Sequence, residues 1–336
     1  MSKLTNCLTG KETTCFPIWF MRQAGRYLPE FRKIRSKHNN FIKLCLNSDL
    51  SSEITLQPIK RFDLDAAIIF SDILMVPYAL GQKVNFVKNE GPILSKLNLD
   101  SFLSADPNKF TETLHPVYEI IKKTRKKLNK EKSLISFVGS PWTIAVYMLG
   151  LKKGKKNINK DLVIKKKSEI SLVLNKLVDF LSLHIKNQIN AGSDVVQIFD
   201  SWAGSIPPEN LFDYCYSPNS KLVQTCKEKK TPVICFPKGL REKYIDFNEV
   251  VNPDCINIDY ELKPDWVLKN FNGKCIQGGM DPKILLLEEE KIYKEAEKYL
   301  KIFKNYPYIF NLGHGLLPET NPDKVKKLVN FIRNYK

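Results

Sequence analysis

Arg22 and Arg26 stand four residues apart in the string Arg22-Gln-Ala-Gly-Arg-Tyr-Leu-Pro-Glu-Phe31, with Gly25 between them. Guanidinium groups stay charged and grip carboxylates two bonds at a time, so the pair suits a polyanionic acid. In a turn or a first helical turn both can point to one side, and Gly25 lets backbone approach a ligand. The competing reading is two surface arginines in ion pairs. Further on, Phe70-Ser-Asp-Ile-Leu74 sets the Asp72 carboxylate among large apolar neighbours, which costs free energy unless the group is paired. Asp72 is therefore either a site carboxylate or a helix N-cap, a role Ser71 shares. His314, between two glycines, is a ligand-facing or a satisfied turn histidine. Tyr147 in Pro141-Trp-Thr-Ile-Ala-Val-Tyr-Met148 is a core aromatic or a site phenol.

Positioning such groups needs a scaffold, and the chain supplies a repeated one. Short runs rich in apolar and β-branched residues occur at 16–21, 66–70, 134–138, 194–199, 232–236, 255–259, 275–278 and 308–312. Longer segments between them, 110–128, 161–182, 170–190 and 288–303, carry apolar residues at helical spacing. A closing helix is expected from Asn321-Pro322 to Tyr335, with Pro322 in its first turn. Strands apolar throughout, alternating with helices, indicate a parallel sheet covered on both faces. Eight such units predict a closed (β/α)8 barrel, in which two intervals near twenty residues leave room only for brief helices. The active site of such a barrel lies at the C-terminal face of the strands. The residues following the eight runs are Arg22, Ser71-Asp72, Gly139-Ser-Pro-Trp-Thr143, Asp200-Ser201, Lys238, Tyr260, Asp281 and Gly313-His-Gly315. Carboxylate, arginine, histidine and hydroxyl groups are thus expected on one face.

Composition narrows the function classes. The 336 residues carry a net charge of +17, mostly lysine concentrated in 122–132 and 152–167 with little aromatic interleaving. That pattern indicates a solvated basic face that attracts anions and argues against a nucleic-acid binder. None of the eight cysteines has C-x-x-C or C-x-x-H spacing, so free thiols are expected and no metal site. No Gly-x-Gly-x-x-Gly follows a strand and no P-loop is present. Residues 1–12 are polar and lack the apolar stretch of a secretory signal. The most apolar stretch, 66–80, is interrupted by Ser71, Asp72 and Pro77 and is too short for a membrane span. The expectation is a cytoplasmic chain of one domain, residues 1–336, associated with neither membrane nor nucleic acid.

Five blocks occur in order along the chain. They are Arg22 to Phe31, Ile69-Phe-Ser-Asp-Ile-Leu74, Gly139-Ser-Pro-Trp-Thr143 with Tyr147 following, Gln197-Ile-Phe-Asp-Ser-Trp-Ala-Gly204, and Asn311-Leu-Gly-His-Gly315. Together they resemble the uroporphyrinogen decarboxylase family; the first two are highly specific and the last two are shared more widely among related barrels. The resemblance implies a homodimer of single-domain barrels that removes four acetate carboxyl groups from uroporphyrinogen III to give coproporphyrinogen III in haem biosynthesis. It implies neither a metal nor an organic cofactor. It further implies that Arg22, Arg26 and Arg35 hold substrate carboxylates, with Gln23 beside them. Asp72 would lie at the centre of the tetrapyrrole ring, Tyr147 and Ser201 nearby and His314 at the far wall. Phe31, Phe70, Phe137 and Phe199 would supply apolar surface, and Arg22, Asp72 and Tyr147 would carry the chemistry. Residues 152–167 are denser in lysine than the family pattern, a departure bearing on surface charge, and Asp200 stands where glutamate would also fit.

The implied chemistry suits these residues. Loss of carbon dioxide leaves an electron pair that most enzymes pass to a cofactor. A protonated pyrrole is its own electron sink, and a nearby carboxylate stabilises the cation. Arginine is a poor acid at its usual pKa, so Arg22 is expected to anchor the acetate, with a water or neighbouring group delivering the proton. The nearest alternative enzyme is a corrinoid-linked or zinc-dependent methyltransferase on the same barrel, which requires a His/Cys ligand set that these spacings do not assemble. An RNA-binding protein and a catalytically dead scaffold are the readings from other classes.

Overall fold

The computed structural model describes residues 1–11, 15–87, 91–154 and 157–335. Seven parallel strands form one sheet in sequence order: β1 (Ala66–Ile68), β2 (Ser133–Gly139), β3 (Val195–Asp200), β4 (Val233–Pro237), β5 (Cys255–Ile258), β6 (Cys275–Gly278) and β7 (Tyr308–Ile309). Registers run from Ala66 opposite Ser133 to Ile276 opposite Tyr308, every pair parallel. Helices connect consecutive strands, as the apolar pattern of the runs requires.

Residues 16–21, expected as a full strand, make a single bridge, Ile18 to Phe310. They nevertheless bond to both edges of the sheet. The Phe310 N–H donates to Pro17 O at 2.8 Å and the Asp65 N–H to Ile18 O at 2.9 Å. The physical reason for the missing ladder is that side chains take the segment's donors. Asp65 Oδ2 accepts from the Ile18 N–H at 2.7 Å, Gln23 Oε1 from Phe20 and Asn311 Oδ1 from Met21, each of these two at 3.1 Å. The (β/α)8 barrel therefore closes at its first strand through a few backbone bonds together with these polar side chains.

The barrel interior holds its own apolar cluster, including Trp19, Ile68, Ile135, Ile234, Phe236 and Ile309. Leu4, Cys7 and Leu8 join it from the helix Lys3–Leu8, so the polar N-terminal stretch contains a helix that packs against this cluster. A buried polar chain crosses the interior: Trp19 Nε1 donates to Gln277 Oε1 at 2.7 Å. Gln277 Nε2 in turn donates to Asn257 and Gln197. All eight cysteines are free, and Cys235, Cys255 and Cys275 are buried in strands.

The expected helix 110–128 runs Pro107–Lys127, starting earlier because Asp106 caps it and Pro107 fits its first position. The expected helix 161–182 is two helices, Lys160–Lys165 and Lys167–Asn190. In the first of these Val163 is buried and Ile164 exposed. The closing helix is Pro322–Arg333, capped by Asn321. The two short intervals hold the brief helices Tyr244–Val251 and Pro264–Asn270. Two short antiparallel pairs lie outside the barrel, Val84–Val87 with Gly91–Leu94 and Lys152–Lys153 with Asn157–Ile158. Lys155 and Lys156, part of the lysine-rich stretch, lie outside the described residues. Among the described residues no helix is long and apolar enough to cross a membrane.

Candidate active site

The segment that closes the barrel ends in Arg22, whose φ of 60° places a non-glycine residue in the left-handed region. Residues 22–28 form turns rather than a helical turn, and the helix begins only at Pro29. Gln23 holds this bend in place: it is fully buried, accepts from Phe20 N–H and donates to Ala66 O at 3.1 Å. Both ends of its amide are committed to backbone, so its side chain holds the Arg22 loop from behind. Tyr27 adds a hydroxyl bond to Gln23 O at 2.8 Å.

Asp72 follows β1 and is half-buried. Its Oδ1 accepts the Leu74 N–H at 2.9 Å, so it ties down the start of the next turn as well as facing the site. Burial raises its pKa to about 6; the Leu74 N–H and the Arg22 charge oppose the shift without cancelling it. Burial also pulls the Arg22 guanidinium below its ordinary value, with Asp72 acting against that and Arg26 adding to it. Tyr147, near the end of the helix Pro141–Met148, feels both charges. Burial pushes its phenol up, and a hydrogen bond with the Trp202 side chain partly offsets this. Its ring meets Trp202 edge-on at 6.4 Å.

His314, after β7, completes the group. Burial, then the positive charges of Arg22 and Lys238, lower its pKa to about 3. The Gly315 N–H donates to Nδ1 at 2.6 Å, which leaves Nε2 of the neutral ring to carry the proton. With Nδ1 occupied as an acceptor, the neutral ring has its donor at Nε2. Gly315 is required by contact: a β-carbon there would lie 2.4 Å from Arg22 Cδ.

Beside this centre an open depression of about 400 Å³ is lined by Arg26, Phe31, Arg35 and Asn39, among others. Arg35 lies over the Phe41 ring at 5.8 Å and bonds to His38 O. Phe70 meets Phe31 at 5.5 Å and Phe41 at 6.0 Å, giving this wall its apolar surface. Phe137 and Phe199 pack edge-on at 5.7 Å in the barrel. Ser201 is exposed after β3.

Other strand-end polar groups are committed elsewhere. Asp200 is buried and accepts from Thr143 Oγ1 at 2.7 Å and Asn219 Nδ2 at 3.1 Å. Asp281 caps the short turn at Pro282–Leu286. Asp259 accepts the Gly239 N–H at 2.7 Å and the Tyr244 hydroxyl at 3.1 Å, holding the loop that carries Lys238. Sequence reasoning left Lys238 and Trp202 out of the site, although one follows a strand and the other stands in the Asp-Ser-Trp-Ala-Gly block. Among the described residues no three or more His, Cys, Asp and Glu side chains converge as metal ligands would.

The uroporphyrinogen decarboxylase (URO-D) family model matches residues 1–335. The chain belongs to the uroporphyrinogen decarboxylase family. Relatives of that name include one from Orientia tsutsugamushi (strain Ikeda), 43% identical over 342 residues, 100% of this chain and 99% of the relative. Another, from Rickettsia bellii (strain RML369-C), is 44% identical over 324 residues and 95% of each chain. Among solved structures, a methyltransferase from Methanosarcina mazei superposes with a TM-score of 0.80 at 17% identity, covering 98% of this chain and 97% of that one. At that identity it shows the shared barrel fold and nothing about the reaction.

Proposed function

We propose that the chain is a carboxy-lyase that removes the four acetate carboxyl groups of uroporphyrinogen III to give coproporphyrinogen III, with Arg22, Asp72 and Tyr147 as its catalytic residues. The observation that carries the site assignment is one half-buried carboxylate, Asp72, beside one desolvated arginine, Arg22, at the end of the barrel where the strand-following loops gather. At neutral pH Asp72 is ionised and its free oxygen can accept pyrrole N–H groups. A proton added to the ring carbon next to the one that bears the acetate keeps the latter conjugated and puts positive charge on the pyrrole nitrogen, and Asp72 stabilises that charge in a site of low dielectric. The C–C bond to the carboxylate then breaks, its electron pair neutralises the cation, and carbon dioxide leaves. A second proton turns the exposed methylene into a methyl group, and the first proton leaves the ring carbon to restore the aromatic pyrrole. This sequence consumes no redox equivalent and needs no organic electron sink.

Arg22 orients the departing carboxylate, while Arg26 and Arg35 hold peripheral carboxylates across the depression. Phe31 and Phe70 cover ring surface, Ser201 and Tyr147 border the centre, and the Nε2–H of His314 donates to a substrate carboxylate at the far wall. The whole chain, 1–336, acts as one domain, as a cytoplasmic homodimer that engages neither membrane nor nucleic acid. An anaerobic assay with reduced uroporphyrinogen III, without added cofactor and with chelator present, tests the reading. Stepwise conversion from eight carboxylates to four supports it; no conversion by folded protein removes the function and makes the methyltransferase reading the next to test.

A further inference from the structure

Lys152 brings a positive charge to the rim of the candidate site at a position set by backbone bonds. Its ammonium lies 5.2 Å from the centroid of the Tyr147 ring, whose phenol feels the charges of Asp72 and Arg22. The chain turns sharply off the helix Pro141–Met148, with Leu151 N–H donating to Val146 O at 3.0 Å. Lys152 then pairs opposite Ile158, and Lys153 opposite Asn157. Residues directly opposite in an antiparallel pair share a face, and neighbours along a strand point to opposite faces. Ile158 is buried and Lys152 half-buried, whereas Lys153 and Asn157 are exposed. The two adjacent lysines therefore differ in kind: one turns inward over Tyr147, the other out to water. Among the described residues Lys152 meets an aromatic face and no carboxylate. An ammonium on an aromatic face keeps donors free for a second, anionic partner.

Resting on the decarboxylase reading, we propose that Lys152 is a substrate-binding residue that holds a propionate carboxylate of the pyrrole undergoing decarboxylation. Each pyrrole of the substrate carries an acetate and a propionate on neighbouring carbons. The acetate must reach Asp72 and Arg22. The propionate arm is one methylene longer and starts from the next carbon; on this proposal it runs along the Tyr147 ring, over which the Lys152 ammonium lies. Because the propionate does not react, this contact contributes to binding and not to the bond-breaking step.

The test compares the wild-type enzyme with Lys152→Gln and Lys153→Gln, on uroporphyrinogen III and on the five-carboxylate porphyrinogen that retains one acetate. Lys152→Gln is expected to raise KM about fivefold on both substrates with kcat within about twofold, as removal of one partly exposed ion pair would. KM should also depend less on ionic strength. Lys153→Gln should match wild type, and Lys152→Arg should retain most of the affinity. An unchanged KM for Lys152→Gln, or a rise confined to the eight-carboxylate substrate, overturns the proposal. So does an equal effect of Lys153→Gln, which would reduce the contribution to general basic charge. Failure of the wild type to convert either substrate is a different result: it defeats the decarboxylase reading, and this proposal with it.

Discussion

Arg22 and Gly315 are packed so closely that a side chain on Gly315 would collide with the arginine. A β-carbon on Gly315 would lie 2.4 Å from Cδ and 2.6 Å from Cγ of Arg22. The last barrel strand thereby sets where the arginine of the first can go. Gly315→Ala is expected to displace the guanidinium from Asp72 without unfolding the barrel. A shift near 1 Å predicts a loss of about 10- to 100-fold in kcat/KM. Kinetics beside a thermal melt check this; full activity with the melt unchanged would show that Arg22 need not sit where it does.

Asp72 is placed for function at a cost in stability. Its folded-state pKa, about 6, lies above its ordinary 3.8, so folding favours the protonated form. The stability this group contributes is present below pH 3.8 and is lost as pH rises through 6. Asp72→Asn should therefore lower kcat by on the order of a hundredfold or more while leaving Tm at pH 7 equal or higher. The Tm difference from wild type should shrink as pH falls from 7 to 4. A variant with near-normal kcat would remove Asp72 from the centre of the mechanism.

The same ionisation predicts a pH profile. If the carboxylate form is the active one, kcat/KM should fall on the acid side through a single step near pH 6. The basic limb is not assigned to His314, whose pKa is about 3 because burial and the nearby Arg22 and Lys238 charges oppose its protonation. Replacing His314 with Gln, which keeps a donor, should leave the acid limb where it is. Movement of that limb in His314→Gln would transfer the ionisation to the histidine.

Arg26 lines the depression, and its charge reaches Arg22 at the centre. Arg26→Ala should raise KM by roughly tenfold, about 1.4 kcal/mol, and leave kcat close to wild type. A large fall in kcat at constant KM would place Arg26 beside the reacting carbon instead.

Gln23 gives a contrasting expectation. Its amide makes two buried bonds to backbone, so Gln23→Ala should cost about 2 kcal/mol of stability. Urea unfolding measures it. Unchanged stability with a weakened KM would return Gln23 to the binding surface.

Much of the architecture was legible locally. Seven of the eight apolar runs are strands within a residue or two at most ends, because a doubly covered parallel strand is apolar throughout and needs no distant information to recognise. The single helix expected over 161–182 is two, because periodicity reports an apolar face and not where the backbone breaks. The first strand was misread for a similar reason. Its N–H groups are taken by Asp65, Gln23 and Asn311, the last nearly 300 residues away, and nothing in residues 16–21 announces those partners.

The sequence by itself determined the order of strands and helices, the residue types at the strand ends, and the blocks that identify the family. Tertiary structure decided which of those strand-end groups share a site. It directs Asp200, Asp259 and Asp281 into capping and loop-holding bonds, and brings Arg22 within reach of Asp72, Tyr147 and His314. It also turns Lys152 inward and Lys153 outward. The reason is physical: periodicity and residue type are properties of a few neighbouring positions. Desolvation and charge coupling, which set the Asp72 and His314 ionisations, sum over groups that only folding brings together.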